Sequence, residues 1–250
     1  FLIAENPSQG IPALAHLHTS PAGDFTYTNA LPPLPAGSYR VFTELAHEGG
    51  FTQTLTNRVD LPASDARPQP TDTDTEAAWS AGSAIAGSTV PLEYGGSAQL
   101  DLDAAVAGSP STLRVRLLQP DGRPAPLQPY LRMLGHGVVL REDGSVFAHL
   151  HPAGTLSMAA ARTFARKLGG DDAARAADAN CGDLEALPVG TAQVLGRDGT
   201  VSFPYVFPQP GRYFFWCQVR IDGRVHTAAF AIPVAPVPAR QSRWSRLGTP

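Results

Sequence analysis

The sequence predicts an all-β protein made of two tandem β-sandwich repeats, the first lacking its N-terminal strands and the second carrying a short helical insertion. Three observations predict it. Short runs that alternate apolar and polar residues, such as SAQLDLD, TLRVRLL and DFTYT, are separated at close intervals by turn residues, the pattern of half-buried strands in a sandwich. Four Asp-Gly pairs, at 121–122, 143–144, 198–199 and 222–223, supply glycines that can take the positive φ of tight hairpins. One pattern also occurs twice. ALAHLHTSP…LPAGSYRVFTELAHEGGFTQTL and VFAHLHPAGT…PQPGRYFFWCQVRIDGRVHTAAF each run from A-H-L-H through a Pro-rich turn and G-x-Y into a pair of alternating strands.

The elements follow in order. Residues 1–62 form the first, partial repeat, which supplies too few strands for a sandwich of its own. Its missing strands are expected either upstream of Phe1 or from another chain. Residues 63–92 are rich in Pro, Asp, Thr, Ser and Ala without alternation and read as a linker, with Trp79 as its one large aromatic residue. Residues 93–235 form the second repeat. Within it, LSMAAARTFARKLGGDDAARAADANCG has the Ala, Arg and Leu content and the terminal glycines of a short helix followed by a loop, an insertion over about 155–182. Residues 236–250 are a Pro- and Arg-bearing tail suited to docking on a partner or leading to an anchor.

Composition narrows the function classes. A net charge of −3 with scattered arginines gives no basic face, which argues against nucleic acid as a partner. No apolar run approaches the ~18 residues of a membrane span. The two cysteines, Cys181 and Cys217, are compatible with a disulfide, a metal ligand or buried thiols. There is no G-x-S-x-G elbow, P-loop, Rossmann glycine pattern or H-E-x-x-H, so an enzyme is not the favoured reading.

The chemistry concentrates in GHGVVLREDGSVFAHLHP, residues 135–152, which hold three of the seven histidines. A two-residue turn at Asp143-Gly144 pairs His136 with His151 and Val138 with His149. The strand period of two then puts His136, His149 and His151 on one face. Directly opposed Cβ atoms lie about 4.5–5.5 Å apart and metal–nitrogen bonds are about 2.0–2.1 Å, so one ion can bridge the three. The same logic at the Asp222-Gly223 turn places Cys217 and His226 on one face. Met133 stands three residues before His136. Imidazole with thioether or thiolate is a copper ligand set, Cu(I) in particular, with zinc as a second choice. In the first repeat His16 and His18 match the His-x-His pair, but no Met or Cys accompanies them.

PYLRMLGHGVVLREDGSVFAHLHPAGTLSMA and PQPGRYFFWCQVRIDGRVHTAAF resemble the His-rich, immunoglobulin-like or cupredoxin-like extracytoplasmic domains of bacterial periplasmic and membrane proteins associated with copper or heavy-metal handling. The first repeat is similar to a second version of the same module, except that Thr19 stands where Pro152 stands in the second. The resemblance implies ligation by His136, His149 and His151 with Met133 as a fourth donor. It also implies a periplasmic or extracellular location, with membrane anchoring through segments outside these residues. Two functions follow as expectations: a non-catalytic copper-binding module, or a structural accessory subunit of a membrane-bound complex.

Overall fold

In the computed structural model, residues 1–5, 10–47, 51–63, 77–85, 87–131, 133–152, 154–155, 166 and 196–238 are described. The strands are β1 Leu2–Ala4, β2 Leu14–His16, β3 Ser20–Gly23, β4 Thr26–Thr28, β5 Gly37–Ala46, β6 Thr52–Leu61, β7 Ala78–Ser80 and β8 Thr89–Pro91. They continue as β9 Ser97–Asp101, β10 Pro110–Leu118, β11 His136–Arg141, β12 Phe147–Leu150, β13 Thr200–Val206, β14 Gly211–Ile221 and β15 Arg224–Val234. The all-β expectation holds. Most of the helix expected over about 155–182, Cys181 and most of the tail fall outside the described residues.

Three antiparallel sheets stack as layers. One has the order β13-β10-β9-β8, one β12-β11-β14-β15, and one, five-stranded, β6-β5-β1-β2-β7. The first two close a sandwich over a core that includes Leu113, Val115, Phe203, Phe215, Cys217 and Phe230. The five-stranded sheet lies on the other face of β12-β11-β14-β15, where Ile3, Leu14 and Phe42 pack against Val138, Leu140, Phe214 and Trp216. A sheet covered on both faces needs strands that are apolar throughout rather than alternating. In β14 every residue from Tyr213 to Val219 is buried.

Within this chain the first repeat already has a partner layer, independent of any strands from upstream or from another chain. Its inner face is covered by a sheet of the second repeat in the same chain. The segment read as a linker also contributes strands: Trp79 lies in β7, paired with Ala15 of β2, and β8 edges the second repeat. The two repeats keep one local device in common. Tyr39 Oη donates to the Pro35 carbonyl at 2.7 Å and Tyr213 Oη to the Gln209 carbonyl at 2.9 Å, each pinning a Pro-rich turn to the strand that follows, as in a tyrosine corner.

The hairpin that carries the histidines has the expected register but a different turn. Gly137 pairs with Leu150, and Val138 with His149, yet the tight turn runs from Arg141 to Gly144, whose N–H donates to the Arg141 carbonyl at 2.7 Å. A two-residue type I′ turn needs positive φ at both central residues. Here Gly144 alone has it, at 73°, because the Asp143 carboxylate is turned inward to accept from Ser145 N at 3.0 Å. At the β14–β15 hairpin both Asp222, at 50°, and Gly223, at 74°, take positive φ, and the two-residue turn forms.

Candidate metal centre

β11 enters the centre of the molecule with His136, Val138 and Leu140 directed to the interface with the five-stranded sheet, while Gly137 and Val139 face the sandwich core. Across it β12 ends at Leu150, and His151 is held by a pair of backbone bonds to Gly154, at 2.7 and 2.8 Å. Alternation therefore brings His136, His149 and His151 to one face, and one ligand atom from each lies within 4.8 Å of the others. The His136–His151 ring centroids are 5.0 Å apart and those of His149–His151 are 4.6 Å apart.

The other layer converges on the same place. His16 of β2 sits 5.2 Å from His149 and 6.0 Å from His136 between ring centroids, and His18 lies 4.7 Å from His16. All five histidines and Met133 line one cavity of about 610 Å³ between the two layers. Met133 is buried and closes a small loop with Tyr130 through two backbone bonds, at 2.7 and 3.0 Å.

Two residues that sequence reasoning missed hold these rings. Glu44 of β5 accepts from His149 Nδ1 at 2.8 Å, and Gln218 of β14 accepts through Oε1 from His16 Nδ1 at 2.9 Å. Each partner comes from the layer opposite to its histidine. Gln218 had a signal, because alternation puts it on the same face as Trp216 and register puts it across from His136. Glu44, 105 residues from His149, had none.

The hydrogen-bond network assigns the protons. His149 donates from Nδ1 to the Glu44 carboxylate, so its Nε2 carries a lone pair. His136 Nδ1 lies 3.1 Å from that Nε2 and donates to it, which leaves His136 Nε2 as a bare acceptor. That atom is buried and, among the described residues, has no hydrogen-bond partner. Burial, followed by the neighbouring histidines, pushes the pKa of His136 well below the ordinary imidazole value of 6.5. His16 is lowered in the same way, first by burial and then by His149 and His18, against a raising bond from Gln218. Burial pushes the Glu44 carboxyl up, but the hydrogen bond from His149, added to the favourable electrostatics of His149, His151 and the Phe1 amine, outweighs it and the net shift is downward.

Neutral imidazoles with free lone pairs are metal ligands, and the geometry fits an ion. For an ion to bind between the facing nitrogens, the proton on His136 Nδ1 must pass to the unpartnered Nε2 of the same ring. The 3.1 Å between His136 Nδ1 and His149 Nε2 is then close to the about 3.3 Å that separates two nitrogens bound tetrahedrally at about 2.0–2.1 Å. A ligating imidazole whose other nitrogen donates to a carboxylate or amide oxygen is the usual outer-shell arrangement, and both His149 and His16 have it. A His triad able to hold a metal is therefore present.

The grouping of Cys217 and His226 with this centre is corrected by the structure. Register places Cys217 opposite Gly137 and Ala228, in the sandwich core, and burial there raises its thiol pKa far above the ordinary range. His226 pairs with Val219 and packs its ring 4.9 Å from Tyr94. Both lie on the face of the central sheet away from the triad, so a backbone layer separates them from it.

A protein-family model described as Domain of unknown function (DUF8832) matches the chain over residues 92–236. No curated protein matches. Among the described residues no helix is long and apolar enough to cross a membrane.

Proposed function

We propose that this chain, which belongs to the DUF8832 family, is a non-catalytic copper-binding module that works outside the cytoplasm. The observation that carries the reading is the meeting of His136, His149 and His151 within 4.8 Å in a cavity that Met133 also lines. Imidazole with a thioether favours Cu(I), with Cu(II) and zinc next. Among the described residues, Glu44 is the carboxylate that lines this cavity, and it is engaged with His149. That leaves it an orienting group rather than a free base, which supports a binding role over catalysis. The extracytoplasmic location and a link to copper handling rest on the resemblance of the His-rich motifs.

The test is metal content after purification without added metal or an affinity tag, then copper titration of the wild type and of His149→Ala/His151→Ala. One equivalent of copper that the variant fails to bind is the expected result. Equal binding by both proteins, or by neither, refutes it.

A second reading, an accessory subunit, draws on one feature. β6 is a ten-residue edge strand that is exposed over nearly its whole length, with Leu55 and Val59 open to solvent. Unpaired edges of this kind accept strands from other chains. A chain that stays monomeric at high concentration and draws no partner from a membrane extract would count against this reading.

A further inference from the structure

We propose that His16, carried by the five-stranded sheet, is the fourth donor to the ion held by His136, His149 and His151, so that the metal clasps two layers of the molecule together. The proposal rests on the metal-binding reading above and adds the donor that completes it.

Three protein ligands leave a tetrahedral ion one donor short, the arrangement of open sites, whereas four close it. The cavity offers Glu44, Met133, His18 and His16 for that position. Glu44 is bonded to Nδ1 of His149, the nitrogen on the far side of that ring from the lone pair, and so acts through His149. His16 stands 5.2 Å from His149, within the 4.6–5.3 Å range that separates the triad rings from one another, and 6.0 Å from His136, so its ring must draw inward to join the three. The bond from its Nδ1 to Gln218 fixes the tautomer whose Nε2 is a lone pair. Gln218 is itself fully buried, so this bond is protected from exchange with water. Phe1 stacks on His16 with ring centroids 4.2 Å apart and His18 meets it edge-on, and together they limit its rotation.

The family match begins at residue 92, so the triad lies inside it while His16 and Glu44 lie outside. The matched domain supplies three donors. The N-terminal sheet supplies the fourth, together with the outer-shell acceptor of one of the three.

The experiment uses the full chain loaded anaerobically with one equivalent of Cu(I). Copper X-ray absorption counts the scatterers, and competition with a chromophoric chelator gives affinity. Four imidazole nitrogens are expected in the wild type and three in His16→Gln, with affinity lower by at least about tenfold, the scale seen even for outer-shell losses. His47→Gln, at the β5–β6 turn where His47 bonds Gln53, should match the wild type. Three nitrogens in the wild type with count and affinity unchanged in His16→Gln overturn the fourth donor and leave the triad standing, as does a sulfur scatterer from Met133 in the fourth position. Absence of copper from the wild type removes the centre and the clasp together. Should His16→Gln fail to fold, the wild-type scatterer count still decides.

Discussion

Acidification of the metal-free protein should destabilise it through His16 and His136, in a pH window the structure specifies. Both rings are held neutral by burial, with folded-state pKa values well below 6.5, while in the unfolded chain they titrate near 6.5. Below that pH the unfolded state binds more protons than the folded one, so stability is complete above the unfolded pKa and is lost as pH falls towards the folded values. A ring that is still neutral at pH 5.5 costs about 1.4 kcal/mol relative to the unfolded chain, against less than about 0.1 kcal/mol at pH 7.5. The two together give about 2.7 kcal/mol, a large part of the ~5–15 kcal/mol that holds a domain folded. The assay is urea denaturation in the presence of chelator at half-unit steps from pH 7.5 to 5.5, for the wild type and His16→Gln/His136→Gln. The terminal amine of Phe1, lowered to about 6 by burial, and His226, also lowered by burial, act in the same direction but are common to both proteins. The difference in slope therefore isolates the two rings. Identical slopes would refute the claim that they are kept neutral.

Glu44→Gln keeps the shape of the acceptor for His149 but removes its charge, and should weaken copper binding by about 10–100-fold with little change in stability, as read by chelator competition and thermal melting. Trp216→Ala should cost about 3–5 kcal/mol, because Trp216 is fully buried between the central and five-stranded sheets; a loss under 1 kcal/mol would mean that the two layers do not pack. In Gly137→Ala the added Cβ would meet Leu150 Cβ and Phe215 Cε2 at 3.1 Å each, and overpacking of that kind costs about 1–3 kcal/mol. Gly223→Ala meets nothing within 4 Å but keeps φ at 74°, so only the backbone penalty of about 1–2 kcal/mol applies. The two glycine variants separate crowding from conformation in one denaturation series.

The hairpin registers were legible because strand period and Asp-Gly turns are local signals, and they carried the triad with them. The union of the two A-H-L-H motifs was not, although the sequence held a clue. RYFFWCQV in β14 is apolar on both faces where a sandwich strand should alternate, and only a sheet covered on each side explains that. Read as two sandwiches side by side, the repeats place their histidines in separate sites. Stacked, they share one. The pairing of Cys217 with His226 shows the converse limit: period two assigned them correctly to a common face, but the sequence does not say which side of the sheet that face looks to. Glu44 illustrates a third limit, since its role depends on packing between layers far apart in the chain.

The double covering of the central sheet has a consequence for how this protein can be divided. A fragment cut at residue 92, where the family match begins, would keep its sandwich apart from the edge strand β8 yet leave Val138, Leu140, Phe214 and Trp216 bare to water on one side. So wide an apolar surface drives self-association. Any relative that lacks an N-terminal sheet must therefore either carry polar residues at these four positions or bury them against a second molecule. The boundary drawn by sequence similarity is thus not a boundary at which this chain can be cut and remain soluble.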